Sequence, residues 1–194
     1  MISDQYKCIF LHANKCGGKS IEKTVWGVPV TRGSADHRFP MDYIEQFGMD
    51  TWNDYFTFGF ARNPWARAVS IYHGRKQIRQ MKLPSFDKWI RGETSVPHPI
   101  GNLRRKDNKI GIRTQSAWFY YNDKPLDFIG RVETYAQDFE KVKQIVGLPA
   151  EMELAHANAS SHDHYSTYYN ADTRDMVHEY FRNDVERFGY SFEE

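Results

Sequence analysis

The sequence predicts an α/β protein on a central parallel sheet, and three observations carry that prediction. Short apolar or aromatic runs at 7–12, 55–60 and 127–130 alternate with helix-length segments, which is the pattern of strands joined by crossover helices. The runs are apolar throughout rather than at every second residue, as strands buried on both faces are. Turn chemistry then joins strand to helix twice, through Cys16-Gly17-Gly18 and through Asn63-Pro64.

Lys7-Cys8-Ile9-Phe10-Leu11-His12 is the first strand, and a helix over 20–26 follows its glycine-bearing loop, closed by Gly27. Val28-Pro29-Val30 reads as a short second strand that Pro29 weakens. Pro40 opens a helix to Phe47, with Gly48 as its stop. The aromatic strand at 55–60 runs into Arg62-Asn63-Pro64-Trp65, where Asn63 suits an N-cap and Pro64 the first helical position. That helix continues through Ser70 and Tyr72 towards Lys82. Residues 92–114, rich in Gly, Pro, Asn and basic side chains, read as a long surface excursion, and loops of that length are more often functional than not. A strand at 127–130 precedes a helix over 134–146, ended by Gly147-Leu148-Pro149. After a polar stretch at 156–169, one amphipathic helix over 171–188, capped by Asn170, closes the chain.

Length and composition bound the function. The 194 residues suit a single domain over 1–194, and 40% apolar with 15% aromatic residues are enough for a sizeable core. Lys and Arg number 26 against 25 Asp and Glu, a net charge of +1. That balance argues against a polybasic nucleic-acid or membrane-surface protein, while leaving room for a local basic pocket. No run approaches the roughly 20 apolar residues of a membrane span, and the first residues lack signal-peptide design. Two cysteines make no disulfide framework. A cytoplasmic protein without an integral membrane segment is the expectation; oligomeric state is not legible.

The strongest chemical signal is Asn14-Lys15-Cys16-Gly17-Gly18-Lys19-Ser20 between a strand and a helix. Two glycines let the backbone approach an anion, the helix N-terminus faces it, Lys15 and Lys19 add charge, and Ser20 adds a hydroxyl. Without a ligand the same string is a tight turn with solvated lysines. A Walker loop needs a glycine where Ala13 stands, and no acidic strand end is placed to hold magnesium. Both facts weaken an ATP-dependent P-loop kinase, which stays as the alternative enzyme. A non-catalytic nucleotide-binding module is the alternative outside catalysis.

The run Phe10-Leu11-His12-Ala13-Asn14-Lys15-Cys16-Gly17-Gly18-Lys19-Ser20 resembles the strand and loop with which sulfotransferases bind the 5′-phosphosulfate of 3′-phosphoadenosine 5′-phosphosulfate (PAPS), with Asn14 where that family has Pro and Lys19 where it has Thr. Arg62-Asn63-Pro64-Trp65 with Ser70 eight residues after the Arg is similar to the family's 3′-phosphate segment. Elementary geometry agrees: Ser70 lies about two turns into the helix, and a long guanidinium beside a hydroxyl suits a phosphate. Phe128-Ile129-Gly130-Arg131-Val132-Glu133 resembles a third family segment, and the likeness runs from residue 7 to 192, closest to the carbohydrate-modifying branch.

The resemblance implies a three-layer α/β/α, P-loop-nucleotide-hydrolase-like fold and transfer of a sulfuryl group from PAPS to a hydroxyl of a carbohydrate or small molecule. It implies no metal and no nucleic-acid partner. The implied cofactor residues are Asn14, Lys15, Cys16, Gly17, Gly18, Lys19, Ser20, Arg62, Ser70 and Arg131. Lys15 is the preferred cation at the bridging oxygen, with Lys19 its competitor. His37 is the preferred general base, since an imidazole suits proton transfer from an alcohol; Asp36 and Glu22 are its reserves. Asp36, Arg113 and Gln115 are expected at the acceptor, with the basic residues Arg104, Arg105, Lys106 and Lys109 available to an anionic one. His156, His162 and His164 share no ligand spacing with the cysteines, so a zinc site is disfavoured. Tyr168 and Tyr169 suit core packing better than a sugar platform.

Overall fold

The computed structural model describes residues 1–29, 36–79, 84–93, 113–155 and 163–193. The expectations for Val30, Lys82, the basic run 104–109, His156 and His162 lie outside these residues. In chain order the elements begin with strands β1 (Ile2–Ser3) and β2 (Cys8–Leu11), then helices α1 (Gly18–Trp26), α2 (Pro40–Phe47) and α3 (Met49–Asp54). Strand β3 (Phe56–Ala61) leads to α4 (Pro64–Arg79), α5 (Phe86–Ile90) and α6 (Ser116–Phe119). A two-stranded hairpin of β4 (Tyr120–Tyr121) and β5 (Lys124–Pro125) precedes β6 (Phe128–Arg131) and α7 (Tyr135–Val146). A 3₁₀ turn (Tyr165–Tyr168), α8 (Ala171–Tyr180) and α9 (Arg182–Phe188) end the chain.

Two compact units are formed, Met1–Arg62 with Gln115–Ala159 and Asn63–Thr114 with Ser160–Glu194. The first holds the main sheet, in the order β1-β2-β3-β6. Strands β2, β3 and β6 are parallel, and β1 adds an antiparallel edge. All four residues of β2 are buried, which explains the unbroken apolar run. Phe10, Phe58 and Phe60 pack with Ile21 of α1 and with Phe139 and Val142 of α7 to form the core. Gly59 points to the opposite face: a Cβ there would lie 2.4 Å from the Phe119 ring of α6, so the residue must be glycine.

In the second unit α4 is capped by Asn63, whose Oδ1 accepts from the amides of Trp65 (3.0 Å) and Ala66 (3.2 Å) while its Nδ2 donates to the Ser191 carbonyl. An aromatic cluster of Tyr72, Phe86 and Trp89 supports α4, with Tyr168 and Tyr169 packed on Phe86. The Tyr169 hydroxyl donates to the Trp65 carbonyl at 2.9 Å, so both tyrosines take the packing role.

Two elements depart from expectation. Val28 and Pro29 join no strand, since Pro29 lacks the ladder donor and Gly27 has just turned left-handed at φ 64°. The closing helix is broken in two at Phe181, whose φ of −110° and ψ of 25° are outside the helical range. No helix among the described residues is long and apolar enough to cross a membrane.

Candidate functional site: a phosphate loop with a histidine beside it

The loop between β2 and α1 starts the helix on a left-handed glycine, with no side-chain cap. The Cys16 amide turns back to the Ala13 carbonyl (3.3 Å), Lys15 and Gly17 both take left-handed backbone (φ 65° and 75°), and α1 starts at Gly18. Gly17, at the N-cap, has no side chain with which to cover the first amides of the helix. A Cβ on Gly18 would lie 2.0 Å from Cδ2 of His12, and one on Gly17 would lie 2.9 Å from the Tyr135 ring and hydroxyl. The glycines therefore answer both to backbone conformation and to close packing. From the other side the Tyr135 hydroxyl, its pKa raised by burial, donates to the Gly17 carbonyl at 2.8 Å.

Under the loop lies a buried acid–base pair. His12 Nδ1 donates to Glu22 Oε1 at 2.8 Å, and the same oxygen accepts the Asp36 amide at 3.0 Å. Burial pushes the Glu22 carboxyl up, but the bond and charge of His12 outweigh it and hold the group below its ordinary value. Sequence alone does not join His12 to Glu22, because a ten-residue separation across a loop carries no periodic signal.

His37 enters the site through the same network. Its Nδ1 lies 2.9 Å from the His12 carbonyl, an acceptor only, so Nδ1 carries the proton and the neutral ring keeps its lone pair on Nε2. The two imidazole rings are 4.4 Å apart. Burial, then the neighbouring His12, lower the His37 pKa, which keeps the ring neutral. Beside it opens a basin with a cavity volume of about 630 Å³, lined by Asp36, His37, Arg38, Asp42, Glu45 and Gln46. Arg62, one residue past β3, reaches back to the loop: its Nη1 donates to the Lys15 carbonyl at 3.4 Å.

Residues 1–191 match the sulfotransferase family. The chain belongs to that family. It is also 29% identical over 123 residues to an uncharacterized protein of Archaeoglobus fulgidus, covering 61% of this chain and 88% of that protein. No solved structure matches the chain at a significant level.

The first unit of this sulfotransferase brings together Asn14 to Ser20, Arg62, Asp36 and His37. Ser70 lies buried in α4, in the second unit. Arg131 ends β6, where its amide donates to Asp138 Oδ2 at 2.9 Å. Asp36 binds Arg38 through both carboxylate oxygens (2.9 and 2.8 Å) and lies 3.2 Å from the N-terminal ammonium. Burial raises its pKa, but these cations outweigh it, so Asp36 stays ionised and is a poor base.

Two expectations change here. Glu22 is 2% exposed and committed to His12 and the Asp36 amide, so it is no reserve base. Gln115 is fully buried, with its amide bonded to Arg62 and Cys16, and does not line an acceptor cleft. Cys16 stays in the phosphate loop, and its buried thiol turns to Gln115 Oε1 at 3.0 Å. Arg113 is exposed in the second unit, and its carbonyl accepts from Arg67 Nη1 at 2.9 Å.

Proposed function

We propose that the chain transfers the sulfuryl group of PAPS to a hydroxyl of a carbohydrate or small molecule. The observation that carries this reading is convergence within one unit: the glycine-started N-terminus of α1, the Arg62 guanidinium at the Lys15 carbonyl, and the His37 ring beside His12. The donor set suits such a nucleotide, since backbone amides, two lysines and an arginine answer phosphate and sulfate oxygens. Bound there, PAPS supplies an activated sulfuryl group and leaves as adenosine 3′,5′-bisphosphate.

The roles follow from the chemistry of each group. The loop from Asn14 to Ser20 holds the 5′ end, and Lys15 offsets charge at the bridging oxygen, with Lys19 next in line. Arg62 holds the 3′-phosphate; Ser70 and Arg131 join the nucleotide set on the family resemblance. His37 Nε2 accepts the proton of the acceptor hydroxyl, and its fixed Nδ1–H bond keeps that tautomer in place. The acceptor docks in the basin beside His37, with Asp36 and Arg38 as a preset ion pair at its wall.

Thermal-shift titration tests the donor. Stabilisation by adenosine 3′,5′-bisphosphate without magnesium supports the reading, and a requirement for ATP with magnesium overturns it in favour of a kinase. Transfer of labelled sulfate from PAPS to a panel of sugars and small alcohols then separates an enzyme from a nucleotide-binding module.

A further inference from the structure

The chain leaves the first unit after Arg62 and re-enters it at Gln115, and the Gln115 side chain closes on the Arg62 peptide. Its Nε2 donates to the Arg62 carbonyl and its Oε1 accepts the Arg62 amide, both at 2.8 Å. The same Oε1 lies 3.0 Å from the Cys16 thiol of the phosphate loop. These bonds come where the sheet stops. The Val132 amide meets the Ala61 carbonyl at 2.8 Å, and Arg62 is the next residue. A primary amide gives a peptide the donor and acceptor that a neighbouring strand would supply, and a carboxylate or thioether of the same size does not.

We propose that Gln115 is a positioning residue for the nucleotide site. It holds the Arg62 main chain and the Cys16 thiol on one buried amide, and so sets the reach of the Arg62 guanidinium relative to the Lys15 turn. This rests on the reading that Arg62 binds the 3′-phosphate. Without the amide, the half-buried Arg62 N–H and C=O lose these partners and the strand end moves to recover them. The loss falls on the ribose phosphate, while the 5′ end stays with the loop.

The test compares affinities for adenosine 3′,5′-bisphosphate and adenosine 5′-phosphate by calorimetry, in the wild type, Gln115→Met and Gln115→Glu. The ratio of the two dissociation constants isolates the 3′-phosphate. Gln115→Met is expected to raise the dissociation constant for the bisphosphate about tenfold relative to that for the 5′-phosphate, the scale of one lost charge-assisted contact, while affinity for the 5′-phosphate holds. Gln115→Glu, which keeps the shape and the acceptor but loses the donor, falls between and carries the test if the Met variant does not fold. An unchanged ratio, or equal weakening of both nucleotides, overturns the proposal, because a purely structural role moves both together. A wild type that does not prefer the bisphosphate instead overturns the assignment of Arg62, a separate result.

Discussion

The chain turns from a buried parallel strand into a helix twice, from β2 into α1 and from β3 into α4, and the two turns treat the first amides of the helix differently. At α4 the buried carboxamide of Asn63 covers the amides of Trp65 and Ala66. At α1 the N-cap is a left-handed glycine between two lysines, and the packing of His12 and Tyr135 leaves no room for a side chain on Gly18 or Gly17. A helix start capped by a side chain is closed by its own protein; one that begins at a left-handed glycine carries no such cap, and it is this start that the proposed function reads as the anion receiver. The sequence already marks Asn63 as a cap, and the structure adds the two amides that its Oδ1 covers.

The largest effect that tests this contrast belongs to the glycine-started turn. His37→Ala should lower turnover about 10²- to 10⁴-fold, the usual worth of a general base, while the dissociation constant for adenosine 3′,5′-bisphosphate stays put. Steady-state kinetics beside calorimetry checks it, and unchanged turnover removes His37 as the base. The pH profile sharpens the same point. A base works when deprotonated, and the His37 pKa is lowered, first by burial. Activity should therefore hold through neutrality and fall on acidification with a midpoint below the ordinary imidazole value of about 6.5. A midpoint above that value contradicts the buried, His12-facing ring.

At the closed turn the expected effect moves from rate to stability. Asn63→Ala should destabilise the fold by about 1–2 kcal/mol, read from denaturant melts, with nucleotide affinity of the folded protein unchanged. A selective loss of affinity would make this cap part of the receiver and erase the contrast. Smallest is Tyr135→Phe, which removes the hydroxyl that bonds the Gly17 carbonyl and Ser20 and should lower stability by about 1 kcal/mol in the same melts.

Much of this was legible in the residues. The buried strands declared themselves by unbroken apolar runs, and Gly27, Gly48 and Gly147 marked helix ends because each sits at positive φ. The Asn63-Pro64 start of α4 was equally plain. What stayed hidden was decided by tertiary contact. Glu22 looks like any helix-surface carboxylate until His12 is found beneath the loop, and Gln115 looks like a cleft residue until the Arg62 peptide is found against it. The edge strand β1 and the turn at Asn122-Asp123, both residues left-handed, were short enough to pass without a periodic signal. The break at Phe181 was missed because the amphipathic pattern runs on across it.

Lys15 holds a backbone shape that L-residues adopt at a penalty of roughly 1–2 kcal/mol. Glycine would sit there at ease, giving up a similar amount in the freer unfolded chain. Lys15→Gly should accordingly melt at nearly the parent temperature while sulfate transfer collapses. A selection for heat tolerance alone would let this lysine drift away, so its persistence through such a screen, or its loss, reports whether the screen ever saw the reaction.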